Sequence, residues 1–458
     1  MNRFTAGLFR FCSPRFTEQG GSSMPNRKTA LRGLAVALAG ALTLTACGGD
    51  GGGDDGGKVT LRFTWWGTEG RADRYQAAVD LFEEQNPDIT VQTSFAEFND
   101  YWTQRSTDGT SGELPDVMQM DLSRLLEYGN GGLLYDLGEF EGGVLDTSTI
   151  EEELLASGRA NEQLVAVPTG TNAFALFYNP DLIEELGVEL PDWDYTWEEY
   201  REFVQAASEA GAGLEPRVYG GNDYTMVWWM FMLHLIQQGI EPFAENGEMN
   251  FTEDDMREFV ASADPLRQPE NITFPTSRTE QLLPKNGFTS GEVPVELNWD
   301  NMLSQASQDA GSDNLQLMPP PSGPDGEKHL FFKPTMQLAI GANSAHPEEA
   351  AMLIDFLINS PEAGEIIGTE LGIPASQERL DSLQVEPGST DERVIEYEQR
   401  LRDEGHVTES APFHPEGFGA VEQEYVQVLG NEFGYGRLSV DDFVERWFSE
   451  AGNLLITS

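Results

Sequence analysis

The first stretch with a clear pattern alternates apolar and polar positions and then changes to a helical period. Residues 59–65 alternate, which predicts a strand. After Gly67, the apolar residues Tyr75, Ala78 and Phe82 recur at helical spacing. This helix should end near residues 86–87, because Pro87 disfavours helix in the residue before it.

Two tryptophans, Trp65 and Trp66, stand where the first strand turns toward the first helix. Neighbouring side chains on a strand point to opposite faces, so the two rings cannot have the same surroundings. In open α/β sheets, ligands bind at the carboxyl ends of the strands. Two interpretations stay open: core packing of each ring, or a cleft lined by at least one of them.

Strand and helix periods alternate along much of the remaining chain. Further strands are predicted at 89–95, 115–120, 164–168, 173–178, 292–299, 314–318 and 336–341, with a turn at 170–172. Further helices are predicted around 101–102, from a capping box at Thr196 and Glu199, and at 224–238, 347–357, 393–402, 421–429 and 440–455. Such alternation is typical of a parallel sheet covered by helices, and therefore of an α/β fold.

The N-terminal segment has the layout of a secretory signal. Three basic residues near Met24 precede an apolar run at 33–42, which is too short for a comfortable membrane span. We expect a signal peptide over 1–46, with Met24 as the true start. Residues 44–47 resemble a bacterial lipobox, which implies cleavage before Cys47 and a lipid on its thiol. The alternative is an ordinary signal peptide with an incidental cysteine.

Residues 48–57, almost entirely Gly and Asp, predict a flexible linker after Cys47, with the folded body starting near Lys58. Cys12 and Cys47, the two cysteines, both precede the first strand, so no disulfide can cross-link that body.

The charge balance is extreme, with 27 basic and 78 acidic residues and a net charge of −51. Such a surface argues against nucleic acid and against anionic lipid bound through a basic patch. Solvation alone explains acidic residues spread along the chain. Adaptation of the whole surface to salt is a further hypothesis.

The salt hypothesis predicts that the fold becomes more stable as salt is added. Repulsion among the acidic residues should weaken as the screening length falls from about 10 Å at 0.1 M to about 3 Å at 1 M salt. We expect the melting temperature to rise by a few degrees over this range. A melting temperature that falls with added salt would contradict the hypothesis.

Motifs of common enzymes and metal sites are absent from the sequence. It contains no G-x-S-x-G elbow, H-E-x-x-H, P-loop or G-x-G-x-x-G opening a helix. The histidines are scattered without metal-ligand spacing. Paired carboxylates stay open, since the separations that a glycosidase needs do not follow from sequence spacing. We expect no cofactor and no metal.

Aromatic rings and short polar side chains instead recur at predicted strand ends and turns. An indole can stack on the C–H face of a pyranose, and carboxylates and amides suit its hydroxyls. Core packing is the alternative for each ring, and is at least as good an explanation for Trp228 and its neighbour Trp229. The group comprises Trp65, Trp66, Asp121, Asn172, Trp299, Asp300 and Asn301, with Trp102, Tyr224, Trp228 and Trp229 on nearby helices.

Several motifs, in order, resemble the extracellular sugar-binding proteins of ABC importers, the family 1 solute-binding proteins related to maltose-binding protein. The resemblance covers nearly all of residues 58–458. It rests on Val59 to Gly67 with Arg71, Phe82 to Ile89, Leu114-Pro115-Asp116-Val117 with Asp121, Val167 to Gly170, Phe177 to Leu182, Thr196 to Glu199 and Gly372 to Ser376.

This resemblance implies two α/β lobes joined by a hinge, with the ligand in the cleft between them. By analogy, lobe one is 58–168 plus 334–372, and lobe two is 169–333 plus 373–458. It implies a monomeric, lipid-anchored receptor on the extracellular or periplasmic side, which delivers a sugar to a membrane permease. It assigns Trp65, Trp66 and Asp121 to lobe one's side of the cleft, and Asn172, Trp299, Asp300 and Asn301 to the hinge side and lobe two. Arg71, Tyr101 and Trp102 resemble a subgroup that takes oligosaccharides.

Two other functions stay open at this point. One is a secreted glycoside-processing enzyme with two catalytic carboxylates. The other is the same fold binding a polyamine or a phosphate ester. Arg71 is the single cation among the candidate residues, which disfavours a phosphate ester, whereas a polyamine would suit the carboxylates and aromatic rings.

Overall fold

The computed structural model describes residues 58–244, 246–267 and 272–455. The predicted signal segment, the linker and Cys47 lie outside these residues and stay predictions. The strands are β1 Val59–Trp66, β2 Ile89–Ala96, β3 Val117–Met120, β4 Arg159–Ala160, β5 Gln163–Leu164, β6 Ala166–Pro168, β7 Gly170–Asn172, β8 Phe174–Tyr178, β9 Val295–Trp299, β10 Gln316–Met318, β11 Leu330–Pro334, β12 Gln337–Ile340, β13 Ile373–Pro374 and β14 Val407–Ser410.

Helices connect and cover these strands. They are α1 Glu69–Gln85, α2 Phe98–Ser111, α3 Leu122–Asn130, α4 Glu152–Ala156, α5 Pro180–Leu186, α6 Trp197–Gly211, α7 Trp228–Gln237, α8 Glu253–Ala261, α9 Asp264–Arg267, α10 Thr276–Leu282, α11 Leu303–Ala310, α12 Pro347–Asn359, α13 Pro361–Ile367, α14 Gln377–Ser382, α15 Thr390–Asp403, α16 Phe418–Gln423, α17 Gly430–Gly434 and α18 Val440–Leu454. Short 3-10 turns occur at Leu137–Glu139, Tyr224–Met226 and Asp300–Met302, and a π-helical turn at Glu424–Leu429. None of the helices in the described ranges is long and apolar enough to cross a membrane.

The first sheet has the order β2-β1-β3-β12-β6. β1 pairs in parallel with both β2 and β3, as the alternation of strand and helix predicted. β12 runs antiparallel to β3 and β6, so it returns from a distant part of the chain to complete the sheet. The carboxyl ends of β1 and β3 carry Trp66 and Asp121.

The sheet formed by β8, β9 and β10 does not have the parallel pairing that the sequence predicted. β10, β8 and β9 form a sheet in which both pairings are antiparallel. The predicted turn at 170–172 is also wrong. These residues form β7, because their backbone pairs with β11 and β13 in the sheet β13-β7-β11-β14.

Local signals set several helix boundaries as expected. The α1 helix stops at Gln85, and Asn86 caps its C-terminus. Thr196 and Glu199 form the predicted capping box of α6. The predicted helix at 224–238 is interrupted, because Asp223 caps a separate 3-10 turn and Val227 is extended.

Buried apolar residues form two clusters. The first draws on residues 61–167 together with 336–371 and Ala375, and the second on 173–331, Ile373 and 394–451. We call these parts lobe one and lobe two. The chain passes between them near residues 168–172, 332–336 and 371–375. The boundaries expected from the resemblance remain a proposal, which this division of the core supports.

Candidate ligand site between the lobes

Three predicted site tryptophans lie in lobe one and pack against other aromatic rings. Trp65 is 1% exposed, and its ring centroid lies 4.8 Å from those of Phe63 and Tyr75. Trp66 and Trp102 are also buried and lie 5.9 Å apart in a separate aromatic group. The neighbouring rings of Trp65 and Trp66 therefore have different partners, as side chains on opposite faces of a strand should.

Arg71 is buried in an ion pair within lobe one. Its Nε lies 3.4 Å from Glu370 Oε1, and its Nη1 donates to the carbonyl of Trp66 at 3.1 Å. Both partners belong to the same lobe, so the guanidinium links α1 to the segment after α13. This arrangement accounts for Arg71 without a ligand.

We therefore expect Arg71→Met to lower stability and leave ligand affinity unchanged. Removing Arg71 leaves the Glu370 carboxylate without its ion-pair partner, which should lower the free energy of unfolding by about 2–4 kcal/mol. Urea denaturation measures this cost. Arg446→Met is the matched control, since its ion pair with Glu432 is exposed and should contribute less than about 1 kcal/mol. Weakened ligand binding at unchanged stability would restore Arg71 to the ligand site.

Two further predicted residues lie in the core of lobe two. Trp228 is 1% exposed and contacts Tyr425 and Trp447. Tyr224 is buried, and its hydroxyl lies 2.7 Å from Ser262 Oγ. The neighbour of Trp228 on α7, Trp229, instead contacts another predicted residue, Trp299.

Trp229 and Trp299 form the aromatic part of the candidate site. Their ring centroids lie 5.1 Å apart, and His414 lies 5.2 Å from Trp229. The ammonium of Lys333 on β11 lies 5.2 Å from the Trp299 centroid and 5.5 Å from that of Trp229. Trp299 is half-buried, at the end of β9. A cation over two indoles gains electrostatic stabilisation.

A carboxylate from lobe one completes this group. Asp121 caps α3 and accepts a hydrogen bond from the backbone N–H of Ser123 at 2.9 Å. Burial opposes ionisation of Asp121, but the charge of Lys333 and the hydrogen bonds from Ser123 outweigh it and lower its pKa. Asp121 and Lys333 therefore interact electrostatically across the two lobes.

Burial shifts the remaining titratable groups of the site toward their uncharged forms. Burial, with a contribution from nearby Asp121, raises the pKa of Glu422 to about 7. Burial, with a contribution from Lys333, lowers the pKa of His414 to about 3, so its imidazole is neutral near pH 7. The site therefore combines the ionised Asp121, the ammonium of Lys333, the partly ionised Glu422 and the neutral His414.

Asn172 and Asn301 meet where the hinge strand β7 adjoins the end of β9. Asn172 Nδ2 donates to Asn301 Oδ1 at 3.2 Å, and Asn172 Oδ1 has no hydrogen-bond partner among the described residues. Asn172 also pairs with Lys333 in the register of β7 and β11. The structure thus brings together Asp121, Asn172, Trp299 and Asn301 from the predicted set.

Asp300 adjoins this group but is fully buried. One carboxyl oxygen accepts the backbone N–H of Ala173 at 3.0 Å. The other lacks a donor among the described residues, as does Glu398 Oε1. Burial and the adjacent Glu398 raise the pKa of Asp300 well above its ordinary value. A proton held by Asp300 and donated to Glu398 satisfies both oxygens, which gives Asp300 a structural role.

A cavity of about 480 Å³ lies between the lobes beside this group. His414 of the site lines this cavity, as does Thr171, the neighbour of Asn172. Its walls are mostly apolar side chains from both lobes. The lining comprises Leu122, Leu125, Leu126, Glu151, Leu154, Ala156, Ser157, Arg159, Thr171, Phe332, Pro334, Arg402, Val407, Ala411, Pro412, Phe413 and His414.

The lobes contact each other at α3 and α16. Asn130 Nδ2 donates to Glu416 Oε1 at 2.6 Å. A Cβ added to Gly419 would lie 3.0 Å from Arg124 Nε and 3.1 Å from Ser123 Oγ, so glycine permits this close approach. The described arrangement is therefore a closed one, with Asp121 facing the residues of lobe two.

Three site residues were missing from the predicted group: Lys333, His414 and Glu422. The sequence pattern could have indicated Lys333. It is one of only five lysines in the chain and directly follows three apolar residues in a strand. His414 and Glu422 have no comparable signal. Trp229 could not be distinguished from Trp228, because both belong to the same apolar run.

Comparison with known proteins decides the family. The family model for bacterial extracellular solute-binding proteins matches residues 66–364. The chain belongs to this family. The resemblance seen in the sequence is thereby confirmed, as is the two-lobed α/β fold. The family is one of extracellular solute-binding proteins.

Similar proteins include three solute-binding proteins with described ligands. An oligogalacturonide-binding protein from Yersinia enterocolitica, solved with digalacturonic acid, has a TM-score of 0.75 at 24% identity, with 86% of this chain and 98% of that one covered. A substrate-binding protein from Listeria monocytogenes, solved with cycloalternan, has a TM-score of 0.73 at 19% identity, with the same coverage of 86% and 98%. A multiple sugar-binding protein from Streptococcus mutans is 25% identical over 126 residues, which are 27% of this chain and 28% of that protein.

Proposed function

We propose that this solute-binding protein captures an oligosaccharide between its lobes and delivers it to the permease of an ABC importer. The observation that carries the proposal is the half-buried indole of Trp299, which packs on the buried Trp229 beside Asp121, Asn172 and Lys333. Indole faces cover the apolar face of a sugar ring, and the polar groups offer both donors and acceptors to its hydroxyls. The oligosaccharide ligands of the similar proteins support this choice.

The proposed site differs from the one expected from the sequence. It keeps Asp121, Asn172, Trp299 and Asn301, includes Trp229, for which core packing was the alternative, and adds Lys333, His414 and Glu422. Trp65, Trp66, Arg71, Trp102, Tyr224, Trp228 and Asp300 are assigned to packing, because core contacts or hydrogen bonds within one lobe already account for them.

The position of Lys333 disfavours a polyamine. A cationic ligand stacked on Trp229 or Trp299 would meet the ammonium that already lies over both rings. Like charges at such distances repel, most strongly in a buried site. A neutral or anionic ligand meets no such penalty.

Ligand capture depends on the equilibrium between an open and a closed arrangement of the lobes. The ligand can favour the closed state only by the difference between its affinities for the two states. Asp121 is on lobe one, whereas Trp299 and Lys333 are on lobe two, so only closure brings all three to one ligand. The closed form is then the one that the permease recognises.

The proposal also includes a lipid anchor at Cys47 and a mature chain beginning there. The order of basic residues, apolar run, small residues and cysteine supports it. Mass spectrometry of membrane-bound protein should find a diacylglyceryl group on Cys47, and Cys47→Ser should release the protein into the medium or periplasm. Membrane association that survives this substitution would exclude the anchor.

Calorimetric titration of purified protein tests the ligand class. The panel comprises mono- and oligosaccharides, with spermidine as the rival ligand, and product analysis shows whether any sugar is cleaved. We expect micromolar or tighter binding of one class of oligosaccharide, which is left intact. Heat from spermidine alone would favour a polyamine receptor, and turnover would favour a glycoside-processing enzyme.

A further inference from the structure

The cavity between the lobes carries two arginines, one from each lobe. Arg159 lies on β4 in lobe one, and Arg402 lies on α15 in lobe two. Apolar residues such as Leu126 and Phe413 line the same cavity. The two lobes thus place two guanidinium groups in the lining of one cavity.

Arg159 is the unengaged cation of the pair. It is half-buried, yet its guanidinium forms no hydrogen bond or ion pair with the residues that the structure describes. Burying part of a charge without a partner costs free energy, which an anionic ligand would recover. Glu151, the carboxylate that also lines the cavity, is exposed and is not within ion-pair distance of Arg159.

Arg402 is held in place but keeps donors to spare. Its guanidinium carbon lies 4.0 Å from the Phe332 ring centroid, and Nη2 donates to Glu398 Oε2 at 3.2 Å. Arginine has five N–H donors, of which this contact uses one. The stacked, planar group is therefore prearranged to donate to a second acceptor.

The local charge of the site differs from that of the whole chain. The protein carries a net −51, but the interlobe space combines Arg159, Lys333 and Arg402 with the side chains of Asp121, Glu151 and Glu398. Glu422 is only partly ionised near pH 7, because burial raises its pKa to about 7. Long-range repulsion of an anion is screened within about 8 Å at physiological ionic strength, so these local cations decide its binding.

We infer that the ligand is an acidic oligosaccharide whose uronate carboxylate binds Arg159, with Arg402 as a second donor. This inference rests on the proposed function. The fork of a guanidinium matches the two oxygens of a carboxylate, and the paired hydrogen bonds are stronger than those between neutral groups. The mostly apolar walls lower the local dielectric, which strengthens the contact. Neutral portions of the ligand stack on Trp299.

Titration of the purified protein with trigalacturonate and with its neutral, fully methyl-esterified counterpart tests the inference. The wild-type protein should bind the acid at least about ten-fold more tightly, as expected for hydrogen bonds to a charged group. Arg159→Gln should abolish this preference and leave affinity for the ester unchanged. Arg159→Lys, which keeps the charge but loses the fork, should retain only part of it.

Arg446→Gln is the matched control, since it removes one exposed positive charge remote from the cavity and should preserve the preference. Melting curves of each variant verify folding. Equal affinity of the wild-type protein for acid and ester, or a preference that survives Arg159→Gln, would overturn the inference. If neutral oligosaccharides still bind in that case, the proposed function stands, whereas failure of every saccharide would overturn both.

Discussion

Replacing Trp299 with alanine is expected to weaken ligand binding by at least about thirty-fold while leaving the protein folded. Aromatic residues that anchor a ligand typically contribute about 2 kcal/mol or more to binding. Trp299 is half-buried and makes T-shaped contacts with Phe174 and Trp229, so part of its surface remains open to a sugar ring. Its removal also leaves Lys333 over a single indole.

Calorimetric titration against the ligand found for the wild-type protein measures this effect. Trp228→Phe is the matched control, because Trp228 packs in the core and faces no part of the candidate site. The control should lower the melting temperature and preserve affinity. Trp299→Ala should lower affinity and leave the protein folded. Equal affinities for Trp299→Ala and wild type would move the site away from Trp299.

Replacing Asp300 with asparagine is expected to stabilise the protein at neutral pH by about 1 kcal/mol or more. The fully buried Asp300 retains a proton in the folded state, which it donates to Glu398. An asparagine amide can donate to Glu398 without binding a proton, and its oxygen can still accept from the N–H of Ala173. Melting temperature measured as a function of pH reveals the difference.

The direction of the pH dependence follows from the raised pKa of Asp300. Above the ordinary aspartate pKa of about 4, the unfolded chain releases the proton that the folded protein keeps. The stability contributed by this group is therefore largest below that pH and declines as pH rises through the folded-state pKa. The gain from Asp300→Asn should accordingly vanish in acid.

Glu398→Gln provides the opposite control. The carboxylate of Glu398 accepts hydrogen bonds from Thr171 at 3.1 Å and from Arg402 at 3.2 Å. Neutralising it should destabilise the protein by about 1–2 kcal/mol, because both bonds lose strength. A loss of stability on Asp300→Asn at neutral pH would show that Asp300 is ionised in the folded protein.

Local patterns in the sequence predicted much of the secondary structure. Alternation located β1 and β2, and proline and capping residues located the end of α1 and the start of α6. The turn predicted at Gly170 to Asn172 failed, because its backbone partners lie more than 150 residues away in β11 and 200 residues away in β13. Pairing over such distances has no local signature.

Site residues were predictable where a polar or aromatic side chain lies directly at the end of a strand. Asp121 and Trp299 are polar or aromatic residues directly at strand ends, and both lie at the site. Trp65 and Trp228 have the same side chain but point into the lobe interiors. The sequence alone does not reveal which indole of an adjacent pair, such as Trp228 and Trp229, lies at a cleft and which lies in the core.

The order of strands in the first sheet constrains how this chain is made. β3 and β6 are separated in the sheet by β12, whose residues are synthesised almost 170 positions after β6. Until Gln337–Ile340 emerge, both inner strand edges lack their partner, and lobe one cannot complete its core. Sheets with such distant pairings fold slowly, because loop closure precedes the contacts that stabilise them. Lobe one therefore stays incompletely folded during most of synthesis, the state in which a chain can be threaded through a narrow export channel.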